Sequence, residues 1–450
     1  MPSTSTSSSS SDDITVNDSN ETNEDIEEAL HFRDVLDAFR DYHNWMKLEQ
    51  LRRDNHLLSL PSYYQKLLPS MIKEFRREGL SRAIQANQYF LNFVAEVQED
   101  ADYTESLADK TNPNYDISTS SSSSSSSTIP QPKSSSSHFS KVKSTLHQIV
   151  RDWSEEGKPE RDATYGVLLK ELDRVLPITK ENYNTLKVLV PGCGLGRLVY
   201  DLITKGYIAQ GNEFSYFMLF ASHAILNYMP EKEYLTIHPW IHTASNHIRV
   251  EDMLRPVTFP DVNPSELLDI NPNGDMSMVA GDFLEVYSTP KNMEAWDSVL
   301  TCYFIDTAAV VLEYIDLIYR ILKPNGVWIN TGPLLYHWEE IPINEIRTIT
   351  SSESSSKTAT TKQANNVDER YFRSIELSYS EIRYAMQARG FIIEQENRYD
   401  SPYACNRLGL MKTVFTGMTF TARKPGNEKS NMNIDTNNHH QHTEDCKHNH

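Results

Sequence analysis

The residues best suited to chemistry gather around one glycine-rich turn. Gly192, Gly194 and Gly196 stand in VLVPGCGLGRL, between a β-branched run at 187–190 and a helical pattern at 195–205. Glycine there permits a tight turn and lets a ligand approach the backbone closely. Glu213 ends the next strand-like run, about 20 residues on, where a carboxylate can accept both hydroxyls of a ribose. The spacing is G-x-G-x-G, not the G-x-G-x-x-G of dinucleotide sites. That points to a nucleoside ligand without a pyrophosphate, S-adenosylmethionine (SAM). Asp282 in AGDF suits an adenine amino group, and Phe283 could pack beside the ring; Asp282 also reads as an ordinary turn cap.

Ligands of open α/β sheets bind beyond the carboxyl ends of the strands. One later run ends in TCYFID, with Asp306, and another leads into GPLLYHW, with His337. Both residues should lie near the cofactor, on the acceptor side. Asp306 could instead cap a helix whose apolar stretch starts at Ala308. His337, between Tyr336 and Trp338, could be a packed histidine.

The elements that must position these residues alternate. Helical patterns at 139–153 and 161–176 precede strands at 187–190, 208–212, 276–280, 296–304 and 326–330. Helices at 195–205, 214–226 and 308–322 lie between them. A helix at 379–389 and strands near 391–398 and 414–423 close the domain. The rhythm predicts a doubly wound α/β domain over 139–425, with a mostly parallel, seven-stranded, Rossmann-like sheet. Residues 27–100 read as an N-terminal helical module, with Leu30, Val35, Leu36, Phe39, Tyr42 and Met46 at helical spacing. Residues 1–26, a Ser-rich linker at 101–138, a polar insertion at 351–369 and a His-rich tail at 426–450 are too polar to build a core.

Lys and Arg total 43 against 62 Asp and Glu, a net charge of −19, which makes nucleic acid a poor partner. Cys193, Cys302, Cys405 and Cys446 are scattered and suggest neither disulfides nor zinc. No apolar run approaches the ~20 residues of a membrane span, and the N-terminus lacks a signal-peptide pattern. The expectation is a soluble protein of the cytoplasm, with the nucleus as a second compartment. His238 and His242 are spaced like a metal pair, but Pro239 opposes a regular helix there; a loop near the substrate mouth is the preferred reading, and no metal is expected.

The blocks PGCGLGRL, GNEFSYFMLF, TIHPWIHTASN, AGDFLEVY, TCYFIDTA, ILKPNGVWINTGPLLYHW and SIELSYSEIRYAM together resemble the carnosine N-methyltransferase family over most of the catalytic domain. The resemblance implies SAM-dependent methylation of the imidazole of carnosine, giving anserine, or of a related histidine-containing dipeptide. It implies cofactor contacts at Gln148, Arg151, Gly192, Glu213, Asp282, Phe283 and Cys302, with Gly194 beside them in the loop. Arg151 could pair with the SAM carboxylate. Substrate contacts would be Asp306, His337 and Tyr403, with Asp306 catalytic: accepting the ring N–H, it would fix the tautomer and stabilise the imidazolium that forms. The chain departs from the family at Phe415, where a second substrate-binding tyrosine is expected, and at Cys193, where a smaller residue is. Two other readings stay open: a protein-histidine methyltransferase on the same fold, and a non-catalytic scaffold acting through the helical module. That module is also where a homodimer would form.

Overall fold

The computed structural model describes residues 23–68, 70–109, 131–338 and 370–426. The polar insertion, nearly all of the two polar tails and most of the Ser-rich linker lie outside the described residues.

Three helices open the described chain: α1 (Asn23–Ser59), α2 (Ser62–Lys66) and α3 (Ser70–Asp109). Next come α4 (Ser136–Trp153), α5 (Lys158–Ala163) and α6 (Tyr165–Val175). The alternating part runs β1 (Lys187–Pro191), α7 (Arg197–Thr204), β2 (Ile208–Glu213) and α8 (Tyr216–Tyr228). It continues through β3 (Leu235–Ile237), α9 (Val250–Met253), β4 (Val257–Phe259), α10 (Leu267–Ile270), β5 (Met276–Ala280) and α11 (Phe283–Tyr287). It closes with β6 (Trp296–Cys302), α12 (Val311–Ile321), β7 (Leu322–Gly332), α13 (Arg370–Arg373), α14 (Tyr379–Arg389), β8 (Ile392–Pro402) and β9 (Val414–Arg423).

Seven strands form one sheet in the order β5-β2-β1-β6-β7-β9-β8. The first five are parallel, and β9 runs antiparallel to both β7 and β8. Val188 and Val190 of β1 pack with α6 and α7 on one face, while Leu189 packs with α11 and α12 on the other. Alternate residues of a strand point to opposite faces, so a strand buried on both sides reads as a continuous apolar run. Beyond β2 the chain adds β5 on one side and then crosses to β6 on the other side of β1. That reversal opens a crevice at the carboxyl ends of β1, β2 and β6, where such sheets bind ligands.

The expected doubly wound fold is therefore present, and several element bounds move, three of the changes with a visible local cause. The long N-terminal helices start at Asn23 and run to Asp109, past the expected 27 and 100, because no Pro or Gly stops them there. Residues 136–138 belong to α4 rather than to a linker: Ser135 caps the helix, accepting from the His138 N–H at 3.2 Å. The pattern at 161–176 is two helices, broken at Thr164, whose backbone leaves the helical region.

The helical module shares a core with the catalytic domain. Phe39, Tyr42, Phe90 and Leu91 of α1 and α3 are fully buried in one cluster with Leu146 and Ile149 of α4 and with Phe217 of α8. Burying each such side chain contributes about 1.5–3 kcal/mol, so the module is integral to the domain's stability. The expected loop at His238 and His242 sits here rather than at the substrate mouth. Asn87 brackets His238, accepting from its N–H at 2.6 Å and donating to its carbonyl at 3.0 Å. His242 Nε2 meets the Tyr42 hydroxyl at 3.0 Å. Burial lowers the pKa of both histidines, and no cluster of metal-ligating side chains exists among the described residues.

The end of α4 is fixed with unusual completeness. The last four carbonyls of a helix lack intrahelical partners. Here Val150 O accepts from the Ser154 hydroxyl at 2.6 Å, Arg151 O from Arg161 at 2.7 Å, Asp152 O from Arg197 at 2.9 Å and Trp153 O from the Asp261 N–H at 2.8 Å. The Asp261 carboxylate then holds both guanidiniums, Arg197 at 2.5 Å and Arg161 in a still shorter contact. Removing one partner of a buried ion pair strands the others. Asp261→Asn should therefore cost about 3–5 kcal/mol of stability. Thermal denaturation followed by circular dichroism checks this; an unchanged midpoint would mean that the cluster does not hold the helix.

Candidate active site

A cavity of about 700 Å³ lies at the crevice. Ten of the residues expected at the site stand on its wall: Gln148, Arg151, Gly192, Gly194, Glu213, Asp282, Phe283, Cys302, His337 and Tyr403.

The glycine loop shapes the floor. Gly192 and Gly194 have φ of 65° and 56°, in the left-handed region that favours glycine. A Cβ on Gly192 would lie 2.5 Å from the Phe304 ring, so a larger residue cannot fit without moving that wall. Cys193 is accommodated because β2 carries Gly211 beneath it; a Cβ on Gly211 would sit 2.6 Å from the Cys193 sulfur. The thiol fills that gap and is buried.

Glu213 is anchored to the loop. Its Oε2 accepts from the Gly194 N–H at 2.9 Å, and its Oε1 from the N–H groups of Phe214 and Ser215 at 3.0 and 2.9 Å. Burial raises its pKa, and these three donors oppose the rise. Oε1 is taken up by two donors, and Oε2 keeps a lone pair for a ligand in the cavity. Asp282 does cap a helix, its Oδ1 accepting from the Leu284 N–H at 2.8 Å at the start of α11, and its Oδ2 is not used in that cap. Asp282 thus caps α11 and at the same time lines the cavity. Phe283 is 2 % exposed and meets Phe304 edge-on at 5.5 Å, while Phe304 stacks on Tyr314.

Arg151 dominates the opposite end. Its side chain is buried, yet Nε has no hydrogen-bond partner among the described residues. Nη1 reaches Gln148 Oε1 at 3.3 Å, and Nη2 reaches the Cys302 sulfur only at 3.8 Å. The guanidinium faces the rings of Tyr165, Tyr303 and Tyr403 at 5.1, 5.3 and 5.4 Å. A buried guanidinium with spare donors fits a carboxylate, and Glu213 fits a pair of hydroxyls. The wall therefore matches the amino-acid and ribose parts of SAM. Burial pushes the Cys302 thiol up to about 12, so it stays protonated beside this charge.

On the acceptor side, Gln148 Nε2 donates to the Tyr403 hydroxyl at 3.0 Å, linking the two halves of the cavity. His337 is exposed at the mouth, its N–H donating to the Asp306 carbonyl at 3.2 Å. Asp306 itself is not on the wall. It is 3 % exposed, in a 3-10 turn, and its Oδ2 accepts from the Leu335 N–H at 2.8 Å. It caps no helix side chain-wise; α12 starts later, after Val310. Burial raises its pKa, opposed by Leu335 and by the charge of His337.

The wall also contains residues that sequence reasoning missed, notably Asp152, Tyr165, Tyr303 and Trp338. Tyr303 carries the clearest signature. Its φ is 53°, and Gly332 of β7 leaves room for its backbone. Its ring lies 4.9 Å from Tyr403 and 6.1 Å from Phe415, and its hydroxyl bonds Ser401. Only its place beside Cys302 in TCYF hinted at this. Phe415 backs both tyrosines, 5.6 Å from Tyr403.

If Arg151 receives a carboxylate in two-pronged fashion, Arg151→Lys should weaken S-adenosylhomocysteine binding about tenfold or more, because a lysine cannot present the planar fork. Isothermal titration calorimetry measures this, and equal affinity would remove Arg151 from the cofactor contacts.

Comparison with known proteins agrees with this geometry. The sequence model of the carnosine N-methyltransferase family matches residues 129–426. Carnosine N-methyltransferase of Mus musculus is 39 % identical over 403 residues, 88 % of this chain and 87 % of that protein. The protein of the same name in Schizosaccharomyces pombe is 39 % identical over 62 % of this chain and 69 % of its own length. That of Dictyostelium discoideum is 33 % identical over 86 % and 75 %. With the match spanning the whole α/β domain and the cavity, the chain belongs to the carnosine N-methyltransferase family.

Proposed function

We propose that the protein transfers a methyl group from SAM to an imidazole nitrogen of carnosine, giving anserine. One observation carries the reading: the residues suited to SAM and the residues suited to the acceptor line a single cavity, joined by the Gln148–Tyr403 hydrogen bond. Bound SAM would supply an electrophilic methyl group on a sulfonium; Arg151, Glu213 and Asp282 would hold it.

The chain's remaining task is to present the acceptor. A neutral imidazole has one lone-pair nitrogen, and with a pKa of about 6.5 it is mostly neutral at cell pH. It needs orientation more than a general base. Tyr303 and Tyr403 offer ring faces that favour the positive charge developing on the acceptor. His337 at the mouth offers a ring nitrogen to the polar ends of a dipeptide. Asp306 holds the loop that carries His337 and adds a buried negative charge behind it. In this geometry Asp306 positions the acceptor through that loop and through its charge.

Asp306→Asn separates the two contributions, since the amide oxygen can still accept from Leu335 while the charge is lost. The variant should bind S-adenosylhomocysteine normally and lose at least about 90 % of its turnover, on the ~10²-fold scale of a misplaced or uncharged orienting group. The assay supplies carnosine, histidine and histidine-containing peptides with SAM, and mass spectrometry reads the product. Unchanged turnover would dismiss the charge. A wild-type protein methylating a protein histidine but not carnosine would replace the acceptor in this reading.

The reading includes a homodimer formed through the helical module, in a protein of the cytoplasm. Leu58, Tyr63, Tyr64 and Leu67 at the module's tip support it, each more than half exposed in a patch of the kind that marks interfaces. Sedimentation velocity should give a dimer that Leu58→Asp with Leu67→Asp dissociates; a wild-type monomer would end that part of the reading.

A further inference from the structure

Asp152 follows Arg151 at the end of α4 and stands on the same cavity wall, 2 % exposed. Its Oδ1 accepts from the Tyr165 hydroxyl at 2.9 Å. Among the described residues nothing donates to its Oδ2, which lies 3.8 Å from where a Cβ on Gly194 would stand. The oxygen therefore overhangs the glycine loop. Its backbone is pinned, because Asp152 O accepts from Arg197. Its neighbour Arg151 lies 3.8 Å away, Nε to Oδ1, without the alignment of a hydrogen bond. The two groups stand side by side as a loose ion pair, with Glu160 Oε1 nearer to Arg151 Nε, at 3.4 Å, and the Asp152 Oδ2 is left over.

Burial raises the pKa of Asp152, while Arg151, Tyr165, Arg161 and Arg197 pull it down. Its Oδ2, above the glycine loop, has room for one more donor. An α-amino acid offers a carboxylate and an ammonium on one carbon, which is the complement of an adjacent guanidinium and carboxylate.

We infer that Asp152 receives the α-ammonium of SAM while Arg151 receives its carboxylate, so that two consecutive residues form one receptor for a zwitterion. The inference rests on the reading of the cavity as a SAM site. Its consequence is selectivity. A guanidinium alone would accept any carboxylate. With Asp152 beside it, a ligand lacking the ammonium would cover the carboxylate and leave its Oδ2 buried without a donor, which is costly. Asp152 is a binding residue here, distinct from the acceptor machinery.

The test is calorimetry on the full-length protein with three nucleosides. These are S-adenosylhomocysteine, its analogue with hydrogen in place of the α-amino group, and 5′-methylthioadenosine, which lacks the amino-acid end. The wild type should prefer S-adenosylhomocysteine over the des-amino analogue by about tenfold or more, the scale of one buried charge-assisted contact. Asp152→Asn should lose about that factor for S-adenosylhomocysteine, little for the des-amino analogue and none for 5′-methylthioadenosine. An equal loss for all three ligands would make Asp152 structural and overturn the inference. So would a wild type indifferent to the amino group, a comparison that needs no variant to fold. A wild type that binds none of the three would overturn the SAM reading itself, which is a different result.

Discussion

Two arginines held by one buried carboxylate keep the end of α4 in place, and the site depends on that fastening. Asp261 lies 109 residues beyond Asp152 in sequence, yet with Arg161 and Arg197 it accounts for three of the four terminal carbonyls of the helix. Such clusters are costly to bury, and apolar side chains of the same volume often stabilise a fold more. Apolar replacements would leave the α4 carbonyls without donors. The cluster therefore trades stability for placement: Gln148, Arg151 and Asp152 project from a helix end that cannot fray. Trp153 completes the arrangement, its indole N–H donating to Leu195 O of the glycine loop at 3.0 Å. Helix end and loop, the two walls of the cofactor half of the cavity, are thereby tied to each other.

Much of the fold was legible in the sequence because its signals are local. Strands β5 and β9 and helix α14 coincide with their expected bounds, since apolar runs, Gly390 and the Ser378 capping box mark their ends directly. The small β3–β4 sheet was not foreseen. Its strands have three residues each and carry no periodicity that could be counted. The dependence of the helical module on the catalytic domain was equally invisible. Amphipathic helices declare an apolar face but not what covers it.

The site divides in the same way. Residues within a motif, such as Gly192, Glu213 and Asp282, sit on the wall where their spacing placed them. Asp306 and His337 were expected to stand together at the substrate, and they are together, but with Asp306 behind the loop that carries His337. Sequence spacing puts a residue at a strand end; it does not say which way the side chain turns. Tyr303 and Asp152 were missed because their importance comes from neighbours distant in the chain, Tyr403 for one and Gly194 for the other.

The shared core of α1, α3, α4 and α8 bears on how the chain comes off the ribosome. Tyr42 finds His242, and Asn87 finds His238, across separations of 200 and 151 residues. Contacts of such long range form late, and N-terminal segments normally fold first during synthesis. Here α1 and α3 cover each other only in part, and the rest of their apolar surface stays bare until α8 and the β3–β4 strands have been made.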